Sequence, residues 1–162
     1  MKKTMFSLAL IFTFFTQCKN EKFLVEGLNS KEEVLETSFK ALVNGEVKKL
    51  DSLLLTREEH NQIFWKYVGE RFTSDPNMNA DTAFDYMDFE TQAMKKILLK
   101  EFAQMKTSIL SSSCGKVEEY GPFRLHLGCK IVIESPKGTI PFDNIRSVLE
   151  LNGKFKLYHL RR

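Results

Sequence analysis

The chain carries three histidines and three cysteines, and the spacing of these residues limits the chemistry available to it. His60, His126 and His159 form no His-x-x-x-His pair, no Cys-x-x-Cys occurs, and there is no glycine-rich phosphate loop. Metal, redox and nucleotide chemistry therefore find no support, and neither a cofactor nor a metal site is expected. Among the histidines, His159 alternates with Phe155 and Leu157 near a strand end, pointing inward. It is the one histidine placed to act as an acid or base in a cavity. His126 falls on the wet face of its strand, and His60 borders an apolar helical face. Asp81, Asp85 and Asp88 share a helical face at i, i+4 and i+7. A hard cation wants several oxygen ligands at once, but three carboxylates on a straight helix span about 10 Å. A solvated face favoured by the helix dipole is the better reading, with Asp85 or Asp88 as a general base the alternative. No catalytic residue is assigned.

Trp65 speaks to binding rather than catalysis. It lies about 100° round its helix from Phe64, away from the main apolar stripe, and Phe72 is seven residues on. The pair would suit a ligand or partner surface; the alternative is that both pack beneath the loop at 69–80. Trp65, Phe72 and His159 are thus the candidate ligand or partner surface.

Cys18 has a different job. Lys2 and Lys3 precede an apolar run, Met5–Phe15, and the cysteine follows at once. A charged start, a short apolar run and a processing site make a secretory signal. A bilayer span needs roughly 20 residues, so the run is too short to be one. Phe15-Thr16-Gln17-Cys18 resembles a bacterial lipobox, in which the signal is cut before a cysteine that carries diacylglycerol. Phe15 and Gln17 depart from the usual Leu and Gly or Ala. The resemblance implies a signal peptide at 1–17, lipid attachment at Cys18 and a membrane anchor on the cell envelope; Lys19 after the cysteine resembles outer-membrane sorting. Residues 18–29 would form a polar tether and residues 30–162 a single domain.

With Cys18 acylated, Cys114 and Cys129 remain as an even pair outside the reducing cytosol, where disulfides persist. They form either a disulfide or, for Cys129, a buried free thiol. Removing the signal leaves about 145 of the 162 residues, enough for one domain with a real core. Lys plus Arg falls from 24 to 22 without Lys2 and Lys3, against 21 Asp plus Glu. A charge near +1 with interspersed signs argues against nucleic acid as a partner. Fourteen phenylalanines suit a well-filled core or an aromatic-lined cavity.

The elements that must position these residues begin with helices. Ser30 with Glu33 is a capping box before an apolar series ending at Asn44-Gly45, a left-handed stop. Val47, Leu50 and Leu53 mark a second helix. Thr56 with Glu59 repeats the capping-box spacing and opens a third, carrying His60, Ile63, Phe64, Tyr67 and Val68 on one face. Asp81 can cap a long helix whose stripe runs from Ala83 to Ile109, breaking near Glu90-Thr91, before a polar spacer at Ser111–Ser113. The period then changes to 2: Phe123–Ile133, Ile140–Leu151 with a bulge near Asp143-Asn144, and Lys154–Arg161 read as strands with one wet face. If one face is apolar, a three-residue loop at Asn152-Gly153 sets Leu149 opposite Phe155. The same argument at Tyr120-Gly121-Pro122 sets Val117 opposite Leu125. In that register Gly128, rather than Cys129, faces Cys114. The expectation is an α+β domain, N-terminal helices followed by a curved antiparallel sheet of about four strands wrapped on the long helix.

Ala41–Val47, with Asn44-Gly45-Glu46 at its turn, resembles the entry of the NTF2-like, cystatin-like superfamily, and Leu151–Tyr158 is similar to its closing strand. The resemblance implies a cone-shaped domain. The helical reading of Thr56–Leu110 departs from the early hairpin of many members. That superfamily holds isomerases and dehydratases beside non-catalytic binding modules, so a fold alone does not assign an activity. The expected function is a lipid-anchored, non-catalytic module binding a partner or a small apolar ligand. The alternative is an isomerase- or dehydratase-type enzyme using the cone cavity, with His159 and an acidic residue as acid and base. A third reading is a homodimer or envelope assembly formed through the outer sheet face.

Overall fold

The computed structural model describes residues 27–72 and 77–161, side chains 70–72 excepted. Met1–Asn20, Cys18, most of the tether and the Phe72 side chain lie outside these residues. The first helix, α1 (Lys31–Asn44), starts at Ser30, whose side chain accepts from the Glu33 amide, and ends at Gly45 with φ 69°. A short α2 (Val47–Leu53) follows. The next helix begins as α3 (Arg57–Glu59) under a complete Thr56/Glu59 capping box. It widens into a π-helical stretch, His60–Trp65, and tightens again as α4 (Lys66–Phe72). α5 (Ala80–Phe102) is continuous through Glu90-Thr91 and is capped by Asn79 rather than Asp81. It stops well before Ile109 because Gln104 turns left-handed, with φ 59°. Ile109 and Ser111–Ser113 belong instead to a strand, β1 (Ser108–Ser113).

Seven strands follow the helices, not about four: β1, β2 (Lys116–Tyr120), β3 (Phe123–Leu127), β4 (Lys130–Ser135), β5 (Gly138–Phe142), β6 (Ile145–Leu151) and β7 (Lys154–Leu160). They form two antiparallel sheets, ordered β1-β4-β5 and β2-β3-β6-β7. The segments expected as single strands each break once. One breaks at Gly128-Cys129, where Gly128 has φ 62°; the other breaks at Asp143-Asn144. The Cys129 amide donates to the Arg146 carbonyl at 3.2 Å across this corner. The pairs β4–β5 and β3–β6 are thus two halves of one hairpin, bent where only Gly adopts the needed conformation cheaply.

Both hairpin registers differ from the expectation, for one reason. Asn152 (φ 52°) and Gly153 (φ 71°) make a two-residue type I′ turn, setting Leu149 opposite Lys156 and Glu150 opposite Phe155. Gly121 at φ 58° opens a two-residue turn with Pro122, so Val117 faces His126 and Glu118 faces Leu125. The premise of one wet face fails here, because the four-stranded sheet is covered on both sides. On one side α1, α2 and α5 pack Val34, Leu35, Phe39, Leu42, Leu50, Met94 and Leu98 against Val148, Leu157 and the three-stranded sheet. On the other, Ile63, Phe64 and Val68 pack against Phe123, Leu125, Leu149 and Leu151. α1 lies against β1, β4, β6 and β7, and the longest helix, α5, lies beside it against β7. His126 is correspondingly buried, its Nε2 2.8 Å from Glu150 and its ring 5.7 Å from Phe155.

The outer edge of β7 is also closed. Leu28 exchanges two backbone hydrogen bonds with Phe155, and the Leu55 amide donates to the Leu157 carbonyl, which protects the edge from pairing with another chain.

Cys114 and Cys129 are joined by a disulfide. The register of β1 on β4 pairs Ser113 with Lys130, so the next two residues inward are the cysteines; the observed β2–β3 register, with Lys116 opposite Leu127, likewise continues to Cys114 opposite Cys129, one residue away from the expected pairing with Gly128. The bridge ties the base of the β2–β3 hairpin to the three-stranded sheet across a sequence separation of 15. Replacing both cysteines by alanine should cost about 3 kcal/mol by the loop-entropy argument. Urea unfolding of the double variant checks this; a change below about 1 kcal/mol would contradict a stapling role.

Candidate functional site

A cavity of about 760 Å³ opens between the π-helical stretch, the first half of α5 and one end of the four-stranded sheet. Its walls are mostly apolar: Phe64, Trp65, Met78, Met87, Leu125 and Leu127. β6 and β7 contribute the polar side chains Arg146, Ser147, Tyr158 and His159, and Glu90 and Glu118 also line it.

Two local irregularities build this site. The β6–β7 ladder shifts between Ile145 and Ser147 and again between Ser147 and Val148. Strict alternation would send Tyr158 and His159 to opposite faces. The bulge turns both toward the cleft, as it does Arg146 and Ser147 on β6. His159 therefore lines the cavity, but on the face opposite Phe155 and Leu157, which belong to the other core. The second irregularity is the π-helical stretch, a feature often found at functional sites. It turns His60, Phe64 and Trp65 to the same wall. Trp65 is half-buried and lies flat on Gly69, where a β-carbon would sit 2.5 Å from the indole Cε2.

The acidic residues of α5 brace this wall instead of entering the cleft. Arg57 pairs with both Asp81 and Asp85, Asn61 donates to Asp81 at 2.8 Å, and Gln92 donates to Asp88 at 3.0 Å. The Arg57 guanidinium also lies 4.6 Å above the Phe84 ring, a cation–π contact. Among the described residues, no three His, Cys, Asp or Glu side chains gather to hold a metal ion. Of the candidate surface, Trp65 and His159 meet at this cleft; Phe72 lies outside the described side chains. The sequence places His60 with Phe64 on one helical face without making it a site candidate, and it does not single out Tyr158 or Ser147.

Burial sets the electrostatics. It pushes His159 down from 6.5 to about 4, with Arg161 and Arg146 acting in the same direction. Burial also lowers His60, whose Nδ1 is 2.9 Å from the Asn61 amide oxygen, and raises Tyr158. Glu118 is held below the usual carboxylate range by Lys116 and then by the Tyr120 hydroxyl. The His159 Nδ1 is buried and has no hydrogen-bond partner. An unpaired acceptor is tolerated better than an unpaired N–H, so the neutral ring keeps its proton on Nε2.

These shifts fix the sign of a pH dependence. Between pH 6.5 and about 4 the unfolded chain holds a proton that the folded His159 does not. Stability is therefore full above pH 6.5 and falls as the pH drops through this window. Urea midpoints at pH 7.5, 5.5 and 4.5 should decrease in that order, and His159→Gln should flatten the decrease; an unchanged slope in the variant would refute the assignment.

Alongside the cleft, a second groove of about 400 Å³ follows α5, lined by Phe89, Ala93, Met94 and Ile97, and it shares Glu90 and Arg161 with the first. Phe89 is 74 % exposed and Tyr86 65 %, an apolar ridge beside the cavity mouth. No helix among the described residues is long and apolar enough to cross a membrane. Compared with protein-family models, with curated proteins and with solved structures, the chain matches none.

Proposed function

We propose that the protein is a lipid-anchored cell-envelope protein whose α+β domain, an NTF2-like cone, is a non-catalytic module binding a small, largely apolar ligand. The observation that carries this reading is the apolar cleft of about 760 Å³, within the range of about 300–1,000 Å³ typical of small-molecule sites. The bent sheet around α1 supports the cone, and the Cys114–Cys129 disulfide suits a compartment outside the reducing cytosol. A general base is oriented by a third group; among the described residues His159 has no carboxylate partner and the His60 ring hydrogen-bonds Asn61, which favours binding over acid–base catalysis. Ile63, Phe64 and Val68 cover one face of the four-stranded sheet, which weighs against a dimer through that face. The exposed ridge of Tyr86, Phe89 and Ile97 is the better place for a second copy or an envelope partner to dock.

Thermal unfolding with a neutral alkanol such as decanol tests the cleft. A ligand that binds only the folded state stabilises it by about 2.7 kcal/mol at a hundredfold excess over Kd, so Tm should rise. Tm that stays level or falls up to the solubility limit would defeat the reading. The anchor has its own test, the mass and detergent partitioning of the mature protein. Diacylglycerol on Cys18, lost in Cys18→Ser, is expected; an unmodified Cys18 would overturn it.

A further inference from the structure

The two arginines of the cleft narrow the kind of ligand. We infer that the cleft takes an amphipathic acid, a molecule with an apolar body and a carboxylate head, and that Arg146 and Arg161 receive the head. This rests on the binding reading above and specifies its ligand.

Arg57 and Arg124 each have acidic partners: Asp81 and Asp85 for the first, Glu119 and Glu150 for the second. Arg146 and Arg161 form no ion pair among the described residues, yet both line the cleft. They emerge from adjacent strand ends whose backbone is pinned. The Arg161 amide donates to the Asn144 carbonyl at 2.9 Å, and the Asn144 side chain donates back to the Arg161 carbonyl at 3.1 Å. The Arg146 carbonyl accepts from Cys129 across the sheet corner. Fixed stems carrying two free guanidiniums suit one planar anion, which Arg meets with two parallel hydrogen bonds. Burial first, then Arg161 and Arg146, lower the His159 pKa, so both cations lie close to its ring. Neutral His159 offers its remaining Nε2 proton to the same head, beside Ser147.

Neither acid of the lining forms an ion pair with Arg146 or Arg161 among the described residues. Glu118 is engaged by Lys116 and Tyr120. Glu90 stands on α5 and forms no ion pair with Arg161, although both line the cavity. The apolar walls, Phe64, Trp65, Met87, Leu125 and Leu127, would hold the body of the ligand.

Trp65 is the only tryptophan of the chain and lines the cleft, so its emission reports occupancy. The full chain is titrated at pH 7.5 with decanoate, decanol and decylammonium, each below its micelle concentration. Decanoate should bind about tenfold or more tighter than decanol, the effect of one charge-assisted hydrogen bond, and decylammonium should bind weakest. In the Arg146→Gln, Arg161→Gln double variant the ratio of decanoate to decanol affinity should fall to near one. Equal binding of acid and alcohol by the native chain, or an acid preference that survives in the variant, overturns the carboxylate inference and leaves the cleft standing. No response to any of the three sinks both.

Discussion

Glu59→Ala is expected to destabilise the domain by about 3–5 kcal/mol, the loss that follows removal of one partner from a buried ion pair. Glu59 and Lys156 are 8 % and 4 % exposed. Lys156 Nζ sits 2.9 and 3.0 Å from the two carboxylate oxygens. One of those oxygens also accepts from the Thr56 amide at 2.8 Å, closing the capping box that starts the third helix. A single carboxylate thus caps a helix and neutralises a lysine lodged in the sheet face beneath it. Alanine would leave the ammonium buried without a counter-charge and the Thr56 amide without its acceptor. Urea unfolding gives the number. The double variant Glu59→Gln, Lys156→Met separates the causes, since it removes both charges and retains an acceptor at the cap. It should recover most of the loss; a double variant as unstable as Glu59→Ala would show that the ion pair was not the reason.

Phe39→Ala should cost a similar amount, about 3–5 kcal/mol, by cavity formation. Phe39 is 1 % exposed and stands between two other rings, 5.5 Å from Phe102 and 5.1 Å from Phe142, with those two 5.3 Å apart. The three come from α1, the end of α5 and the last residue of β5, so the triad joins three elements that have no backbone bonds to one another. All three pairs meet edge to face, an arrangement worth about 0.5–1.5 kcal/mol beyond area burial. Against a total stability of about 5–15 kcal/mol, the loss is large enough to shift the urea midpoint well outside error. Phe39→Leu, which keeps more of the volume, should cost markedly less. Equal costs for the two would mean that the triad is not packed as described.

The helical half of the fold was legible because its signals are local. Ser30, Gly45, Thr56 and Glu59 act within one turn of themselves, and each does in the structure what its type and spacing imply. The sheets were less legible because register depends on what lies above and below. A period-2 pattern cannot tell one covered face from two when each face buries a polar pair, Lys156 with Glu59 on one and His126 with Glu150 on the other. The corner at Gly128 and the left-handed Gln104 broke segments whose apolar patterns ran straight through. The cleft itself was least legible. Tyr158 and His159 share it through a bulge, and His60 joins Trp65 through a π turn, neither of which follows the 2.0 or 3.6 period on which the reading relied. Trp65 could be singled out because one tryptophan off the main stripe is conspicuous at any register.

The central claim is that an apolar ligand lies in the cleft against Trp65. Bromine quenches an indole only near contact, so a decanol brominated at its far end reports that geometry directly. Trp65 emission should fall along a saturating curve as the brominated alcohol is added, and unlabelled decanol should restore it. Quenching that rises linearly without saturation, and that unlabelled decanol leaves unchanged, would contradict the account.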